Sequence, residues 1–299
     1  MKEQKVSIVM CTYNGEKFLK EQMESIVNQT YPIYELIIQD DCSTDDTYSI
    51  LQKYSERYPY IYVYQNDENL GVNRNFFSAM KKVSGDYIAI SDQDDIWELD
   101  KIENQVNSIG DNLLSFCFSR PFATEKDVFI HFDSRIPNYA LERFIYVGGI
   151  PGHTILFKRK FLEILDKMKI ENYNMTYDRL LSMLAASYGK IHFCDKILVN
   201  HRRHINAVTY TPPNNYRKSA YNIVGSIFRT FSLFRELRPI MKERFGEIYR
   251  LLKEFPNDAS YTKDAIKLAY YHSQSSIVSY IKLTFLCVRL RHKIFSDLV

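Results

Sequence analysis

Between Val6 and Asp95 the chain repeats one unit: a short apolar run, a polar turn, and an amphipathic segment. Val6–Met10 is a β-rich run that ends in the turn Thr12–Gly15. Glu16–Asn28 follows with helical spacing, and Phe18, Leu19, Met23, Ile26 and Val27 share one side. Tyr34–Gln39 is the next strand and ends at Asp40 and Asp41. Ser43 or Thr44 then caps a helix that runs to about Tyr58, before Pro59. Ile61–Tyr64 is a third strand, Val72–Val83 a third helix closed by Ser84-Gly85, and Tyr87–Ile90 a fourth strand that runs into Asp92-Gln93-Asp94-Asp95. Repeated βα units of this length predict a parallel sheet with helices on both faces. Ligands bind such sheets outside the carboxyl ends of the strands, so the polar residues after strands one, two and four are expected to converge there.

The rest of the chain is less regular. Short strands and loops are expected from about Leu113 to Phe157, including Gly148-Gly149-Ile150-Pro151-Gly152. Arg159–Lys169 and Tyr177–Tyr188 read as helices, and Ile191–Val199 as a strand ending at the basic quartet His201-Arg202-Arg203-His204. Thr211-Pro212-Pro213-Asn214-Asn215 is the clearest boundary, because consecutive prolines break helix and sheet alike. We therefore divide the chain into an α/β unit over residues 1–210 and a helical region over 211–299.

Composition narrows the function classes. A formal net charge of +3 gives no electrostatic case for nucleic-acid binding. The five cysteines form no CxxC pair, which argues against a disulfide framework or a structural zinc site and for reduced, buried thiols. No signal peptide and no membrane-spanning helix are expected, since polar residues interrupt every long apolar run.

The acidic residues at strand ends carry the chemistry. Asp92, Asp94 and Asp95 would repel one another, and a divalent cation such as Mg2+ or Mn2+ relieves that repulsion. A helix N-terminus that merely favours aspartate is the competing explanation. At the end of strand two, one of Asp40 and Asp41 can accept a hydrogen bond from a nucleobase or ribose, while Ser43, Thr44 and Asp45 suit helix capping. Thr12, Tyr13, Asn14 and Gly15 can hold a base, with a tyrosine ring for stacking. Arg74, in Asn69-Leu70-Gly71-Val72-Asn73-Arg74-Asn75, either grips a phosphate or is a solvated helix residue.

The ordered set resembles the family 2 glycosyltransferases, whose nucleotide-binding half has the GT-A fold. The resemblance rests on Thr12-Tyr13-Asn14-Gly15, on Asp40-Asp41-x-Ser43-x-Asp45-x-Thr47, on Asn69-x-Gly71, and on Ser84-Gly85-Asp86-Tyr87 leading to Asp92-x-Asp94-Asp95. It covers roughly the first two hundred residues. Within the family, Ser91-Asp92-Gln93-Asp94-Asp95-Ile96-Trp97, Gly149-Ile150-Pro151-Gly152-His153-Thr154 and Arg202-Arg203-His204-Ile205-Asn206 look most like bacterial rhamnosyltransferase-type members, although the last motif is one residue shorter than in some of them.

The resemblance implies a GT-A Rossmann-like sheet with helices on both faces, followed by a C-terminal helical region. It implies roles as well. Asp41 would contact the nucleobase, in a pocket with Thr12, Tyr13 and Asn14; Asn69, Arg74 and Asp92 would complete the nucleotide-sugar site, with Asp92 at the ribose. Asp94 and His204 would hold Mn2+ or Mg2+ on the donor diphosphate. Asp178 matches the general base, although Tyr177 stands before it where relatives often have His or Glu. The reaction implied is inverting transfer of a sugar, first of all rhamnose, from a nucleoside-diphosphate donor to a glycan or lipid-linked acceptor, with Arg74 or the Arg202/Arg203 pair donating to the diphosphate. A UDP-sugar hexosyltransferase and a non-enzymatic glycan- or partner-binding module are the alternatives.

The helical region mixes apolar and basic residues. Ile277, Tyr280, Ile281, Thr284, Phe285, Val288 and Leu290 form a stripe beside Lys282, Arg289, Arg291, His292 and Lys293. Such a helix lies on an anionic membrane or packs on the α/β unit or a second subunit, as in a homodimer. The expected location is the cytoplasm, at the inner face of the cell membrane if the helix docks there.

Overall fold

A computed structural model describes residues 4–126, 128, 130–132, 134–146, 148–168, 175–205, 238–254, 259–274 and 276–294. Its first half follows the βα repeat: β1 (Val6–Thr12), α1 (Glu16–Val27), β2 (Ile33–Asp40), α2 (Thr47–Arg57), β3 (Ile61–Gln65), α3 (Val72–Met80) and β4 (Tyr87–Ser91). β1 pairs in parallel with both β2 and β4, and β2 in parallel with β3. Val6, Ile8, Val9 and Met10 are all buried, because a central parallel strand is covered on both faces. Ile8 and Met10 pack with Leu19, Met23 and Ile26 of α1, while Val9 packs with Phe76, Ala79 and Met80 of α3.

Beyond β4 come β5 (Ile96–Trp97), α4 (Lys101–Ser108), β6 (Leu114–Phe122), α5 (Leu141–Phe144), a 3-10 turn (Gly152–Thr154), β7 (Leu156–Lys158), α6 (Lys160–Asp166), α7 (Tyr177–Ser187) and β8 (Ile191–Arg202). The sheet order is β3-β2-β1-β4-β7-β6-β8-β5. β7 runs antiparallel to β4 and β6, and β5 antiparallel to β8. The sheet is therefore mixed, where the repeat alone predicts a parallel one.

Three local expectations need correction. Ser43 does not cap α2, which starts at Thr47; its hydroxyl donates instead to Asp40 Oδ1 at 2.6 Å. β8 continues three residues past Val199, so His201 and Arg202 are strand residues paired with Pro121 and Phe122 of β6. Among the described residues, the region 113–157 holds one long strand, β6, rather than several short ones before β7. The proline boundary at 211–215 and the segment 223–234 lie outside the described residues.

Four helices close the fold: α8 (Arg238–Glu254), α9 (Ala259–Ser273), α10 (Ile277–Arg289) and α11 (Arg291–Ile294). Their Phe245, Leu251, Leu268 and Leu283 join the same apolar core as Phe144 and Leu184. Polar contacts add to this: Arg143 Nη1 donates to Ile294 O at 2.8 Å, and the Tyr146 hydroxyl meets His272 Nε2 at 2.8 Å. α10 packs chiefly on α9 and reaches the α/β unit where Cys287 Sγ meets the Tyr146 hydroxyl at 3.6 Å, but part of its apolar stripe remains outside. Ile277, Ile281 and Phe285 are 75%, 50% and 74% exposed. Among the described residues, no helix is long and apolar enough to cross a membrane.

Candidate functional site

The carboxyl ends of β1, β2 and β4 and the last residues of β8 meet at one edge of the sheet. The turn after β1 is built around Gln93. Its side-chain amide accepts from Tyr13 N at 2.9 Å and donates to Tyr13 O at 3.0 Å, which fixes the tyrosine backbone while the ring stays about half exposed. Thr12 turns inward, its hydroxyl donating to Asp40 Oδ1 at 2.8 Å. Asn14, in the left-handed region at φ 46°, accepts from Thr44 N at 2.8 Å through Oδ1. Thr12 and Asn14 therefore shape the turn, and Tyr13 is the residue whose ring faces outward.

Asp41 anchors the next loop. Its Oδ1 accepts from Asn66 Nδ2 at 2.7 Å and Leu70 N at 2.8 Å, and its Oδ2 from Gly71 N at 2.8 Å. A carboxylate has about four lone-pair sites, so one remains for a ligand N–H. Asn69 reinforces the loop, accepting from Gly71 N at 3.2 Å and donating to Asp41 O at 3.3 Å. Gly71 sits at φ 77°, a conformation that side chains disfavour, immediately before α3. Arg74 is exposed on α3, within reach of solvent rather than of an ion-pair partner among the described residues.

The acidic turn after β4 is interleaved with histidines. His204 Nε2 lies 2.8 Å from Asp94 Oδ2, and its ring packs on Phe18 at 5.1 Å. His153 Nδ1 stands 3.4 Å from Asp92 Oδ2 and 3.8 Å from Asp95 Oδ2. The rings of His153 and His201 lie 4.5 Å apart, tilted by 31°. Burial pushes Asp95 up to about 7, with Asp92 and Asp94 adding to the shift and His153 opposing it. Burial and the Asp92 charge raise Asp94, against the pull of His204. Burial, with the charge of His153, pushes His201 down to about 3, so this ring is neutral.

Arg202 does not offer its guanidinium to a ligand, contrary to the expectation for the Arg202/Arg203 pair. It is 1% exposed, sandwiched between the rings of Phe18 and Phe122 at 4.6 Å each, and donates to Asp94 O and Glu21 Oε2 at 2.8 Å. Its backbone N–H donates to Asp95 Oδ1 at 3.0 Å. Arg202 and His204 thus frame the acidic turn.

Asp178 occupies the first turn of α7. Its Oδ1 accepts from Arg179 N at 2.7 Å, and burial raises its pKa, against the hydrogen bonds of Thr176 and Arg179 and with help from the charge of Asp92. Asn73 of α3 holds this turn: Oδ1 accepts from Tyr177 N at 3.0 Å and Nδ2 donates to Met175 O at 3.1 Å. Gly149 approaches from the other side, where a Cβ would stand 2.5 Å from Arg179 Cα.

Sequence reasoning missed Gln93, Asn73, His153 and Ser119 as working parts of the site. His153 lies in a quoted motif, but its partners Ser119 and Asp92 are far away in the chain, and no local pattern marks them.

A family model for glycosyl transferase family 2 matches residues 7–166. The chain is 33% identical over 182 residues to the dTDP-rhamnosyl transferase RfbG of Shigella flexneri, covering 56% of this chain and 60% of that one. It spans between half and two thirds of the length of the first curated relatives that it matches. Among solved structures it is similar to TarS of S. aureus in complex with UDP-GlcNAc, with a TM-score of 0.55 and 17% identity over 98% of this chain and 93% of that one. It is also similar to the mannosyltransferase PcManGT of Pyrobaculum calidifontis in complex with GDP-Man and Mn2+, with a TM-score of 0.54 and 18% identity over 98% of this chain and 82% of that one. These likenesses establish the GT-A fold.

Proposed function

The chain belongs to glycosyl transferase family 2, and on that premise we propose that it transfers a sugar with inversion from a nucleoside-diphosphate donor to a glycan or lipid-linked acceptor in cell-surface polysaccharide synthesis. One observation carries the reading. The charge of Asp92 acts on Asp178, a carboxylate that burial holds above the ordinary aspartate range, so the candidate base lies near the candidate donor site.

On this reading Asp41 uses its remaining acceptor site for a nucleobase N–H, Tyr13 stacks on the base, and Asn69 keeps the Asp41 loop in shape. Asp92 faces the ribose, and the exposed Arg74 offers its guanidinium fork to the diphosphate. Asp178 accepts the proton of the acceptor hydroxyl as the new bond forms, an effect worth about 10²–10⁴-fold in rate. The oxygen and nitrogen donors of Asp94 and His204, 2.8 Å apart, fit Mn2+ or Mg2+. Such an ion neutralises negative charge on a nucleoside diphosphate.

Rhamnose is the first donor sugar to test, supported by the likeness to RfbG. The UDP-GlcNAc and GDP-Man held by the two structural neighbours keep hexosyl donors as the second reading. The exposed Ile277, Ile281 and Phe285, next to Lys282 and Arg291, suit the inner face of an anionic membrane, with a homodimer contact as the competing use. Flotation with anionic liposomes checks the first use. If the full chain and a Phe285→Glu variant float equally, the patch does not dock there.

A thermal-shift screen of nucleoside diphosphates and their sugars, with Mn2+ or Mg2+, tests the main reading. A ligand at a hundredfold excess over its Kd adds about 2.7 kcal/mol of stability. A metal-dependent shift that Asp94→Ala abolishes supports the proposal and selects the donor. No shift with any nucleotide in a folded sample refutes it.

A further inference from the structure

Behind Asp41 stands a relay of three side-chain amides. Asn66, the first residue after β3, turns its amide to this carboxylate: Nδ2 donates to Asp41 Oδ1 at 2.7 Å and to Asn75 Oδ1 at 2.9 Å. Asn66 Oδ1 accepts from Gln39 Nε2 at 2.7 Å, and Asn75 Nδ2 donates to Gln39 O at 2.9 Å. Gln39, Asp41 and Asn75 are each buried. A carboxylate only accepts, so Asp41 sets the polarity of the relay. Asn66 must present its nitrogen to Asp41, and Gln39 must present its nitrogen to Asn66. Gln39 Oε1 is then left buried without a partner. Buried polar atoms nearly always have one, so Asn66 is held in this orientation at the expense of an orphaned acceptor.

The relay decides what Asp41 has left to offer. Each carboxylate oxygen carries two lone pairs. On Oδ1 both are taken, by Asn66 Nδ2 at 2.7 Å and by Leu70 N at 2.8 Å. On Oδ2 one is taken, by Gly71 N at 2.8 Å, and one is open. A nucleobase therefore meets a single acceptor here, not the adjacent pair of a free carboxylate. Uracil and thymine present one ring N–H between two carbonyls, which a single acceptor satisfies. Guanine presents a ring N–H beside an amino group, and the two together call for both oxygens. With Oδ1 full, the amino group enters the site unpaired, and an unpaired buried donor is disfavoured.

On the reading of Asp41 as the base-binding carboxylate, we infer that Asn66 determines base specificity. By filling Asp41 Oδ1 it restricts the donor to uridine- or thymidine-diphosphate sugars and rejects guanosine-diphosphate sugars. Asn66 is a positioning residue: it acts through Asp41.

Isothermal titration of the full chain with nucleoside diphosphates, in the presence of Mn2+, tests this. Inosine diphosphate separates the terms, because hypoxanthine keeps the ring N–H of guanine and lacks its amino group. UDP or dTDP is expected to bind, and IDP to bind about tenfold or more tighter than GDP. Asn66→Ala frees the second lone pair of Oδ1 and is expected to bring GDP to within about twofold of IDP. A loss in Asn66→Ala that weakens all nucleotides alike, with the GDP-to-IDP ratio unchanged, overturns the inference. So does wild-type GDP binding as tight as that of IDP, a comparison that needs no variant and stands if Asn66→Ala does not fold. Rejection of both purines while UDP binds also overturns the role of Asn66, since size would then select the base. If no nucleotide binds, the donor reading itself fails, and the inference fails with it.

Discussion

Asn73 Oδ1 accepts the backbone N–H of Tyr177 at 3.0 Å, and through this bond α3 holds the turn that carries Asp178. The same amide donates to Met175 O at 3.1 Å, so one side chain clamps both sides of the helix start. Asn73→Ala removes both bonds. A reacting group displaced by about 1 Å can cost about 10²-fold in rate. We expect kcat to fall by about tenfold or more while nucleotide affinity stays near wild type. Steady-state kinetics and nucleotide titration check the split, and equal losses in both would place Asn73 in general folding.

Asp178→Asn should lower kcat by about 10²–10⁴-fold with the fold intact. The base must be ionised to accept a proton. Because burial raises its pKa, the acid limb of kcat/KM should lie above the ordinary aspartate value of about 3.9. A pH–rate profile checks this, and a variant that keeps normal turnover removes Asp178 from the chemistry.

Gly149→Ala places a methyl group 2.5 Å from Arg179 Cα and 2.8 Å from Asp178 O. Backbone on both sides leaves little room to give, and overpacking of this kind costs about 1–3 kcal/mol. A lower Tm together with a reduced kcat is expected. Gly148→Ala is the control, since no atom lies within 4 Å of a Cβ there.

Arg202→Met should lower stability far more than nucleotide affinity, because the guanidinium is buried between two rings and bonded to Asp94 O and Glu21. Breaking a buried charged pair on one side costs about 3–5 kcal/mol, a figure to be discounted here because Glu21 is 56% exposed. Urea denaturation and nucleotide titration separate the effects. Unchanged stability with lost affinity would return Arg202 to the diphosphate.

His272 gives the fold a pH dependence. It stacks on Phe245 at 4.2 Å and meets the Tyr146 hydroxyl, and burial pushes its pKa down to about 3. The unfolded chain takes up a proton near its ordinary value of about 6.5, and the folded chain does not. The folded pKa is depressed, so this contribution is complete above about pH 6.5 and is lost as pH falls towards 3, at up to about 1.4 kcal/mol per pH unit. His272→Gln should flatten that slope. Denaturation midpoints at pH 7 and pH 5 measure it.

The order of the βα units, the strand-end location of the acidic residues and the helical C-terminal region were legible in the sequence, because hydrophobic period and turn chemistry act over a few residues. Asp41, Asp92 and Asp94 stand at strand ends that those patterns locate, whereas Asp178 and His204 were singled out only through the resemblance to family 2 glycosyltransferases. The tertiary structure alone decided what each side chain faces. Arg202 reads as a free cation beside three other basic residues, yet extension of β8 carries it inside, between Phe18 and Phe122. Asn73 and Tyr177 meet only because α3 and α7 pack together. Ser119, His153 and Asp95 come from three separate elements, and their meeting depends on β7, antiparallel to both its neighbours, and β6, parallel to β8, inserting between β4 and β8. Local periodicity encodes which face of an element is apolar; which distant polar groups that face brings together is set only when the elements pack.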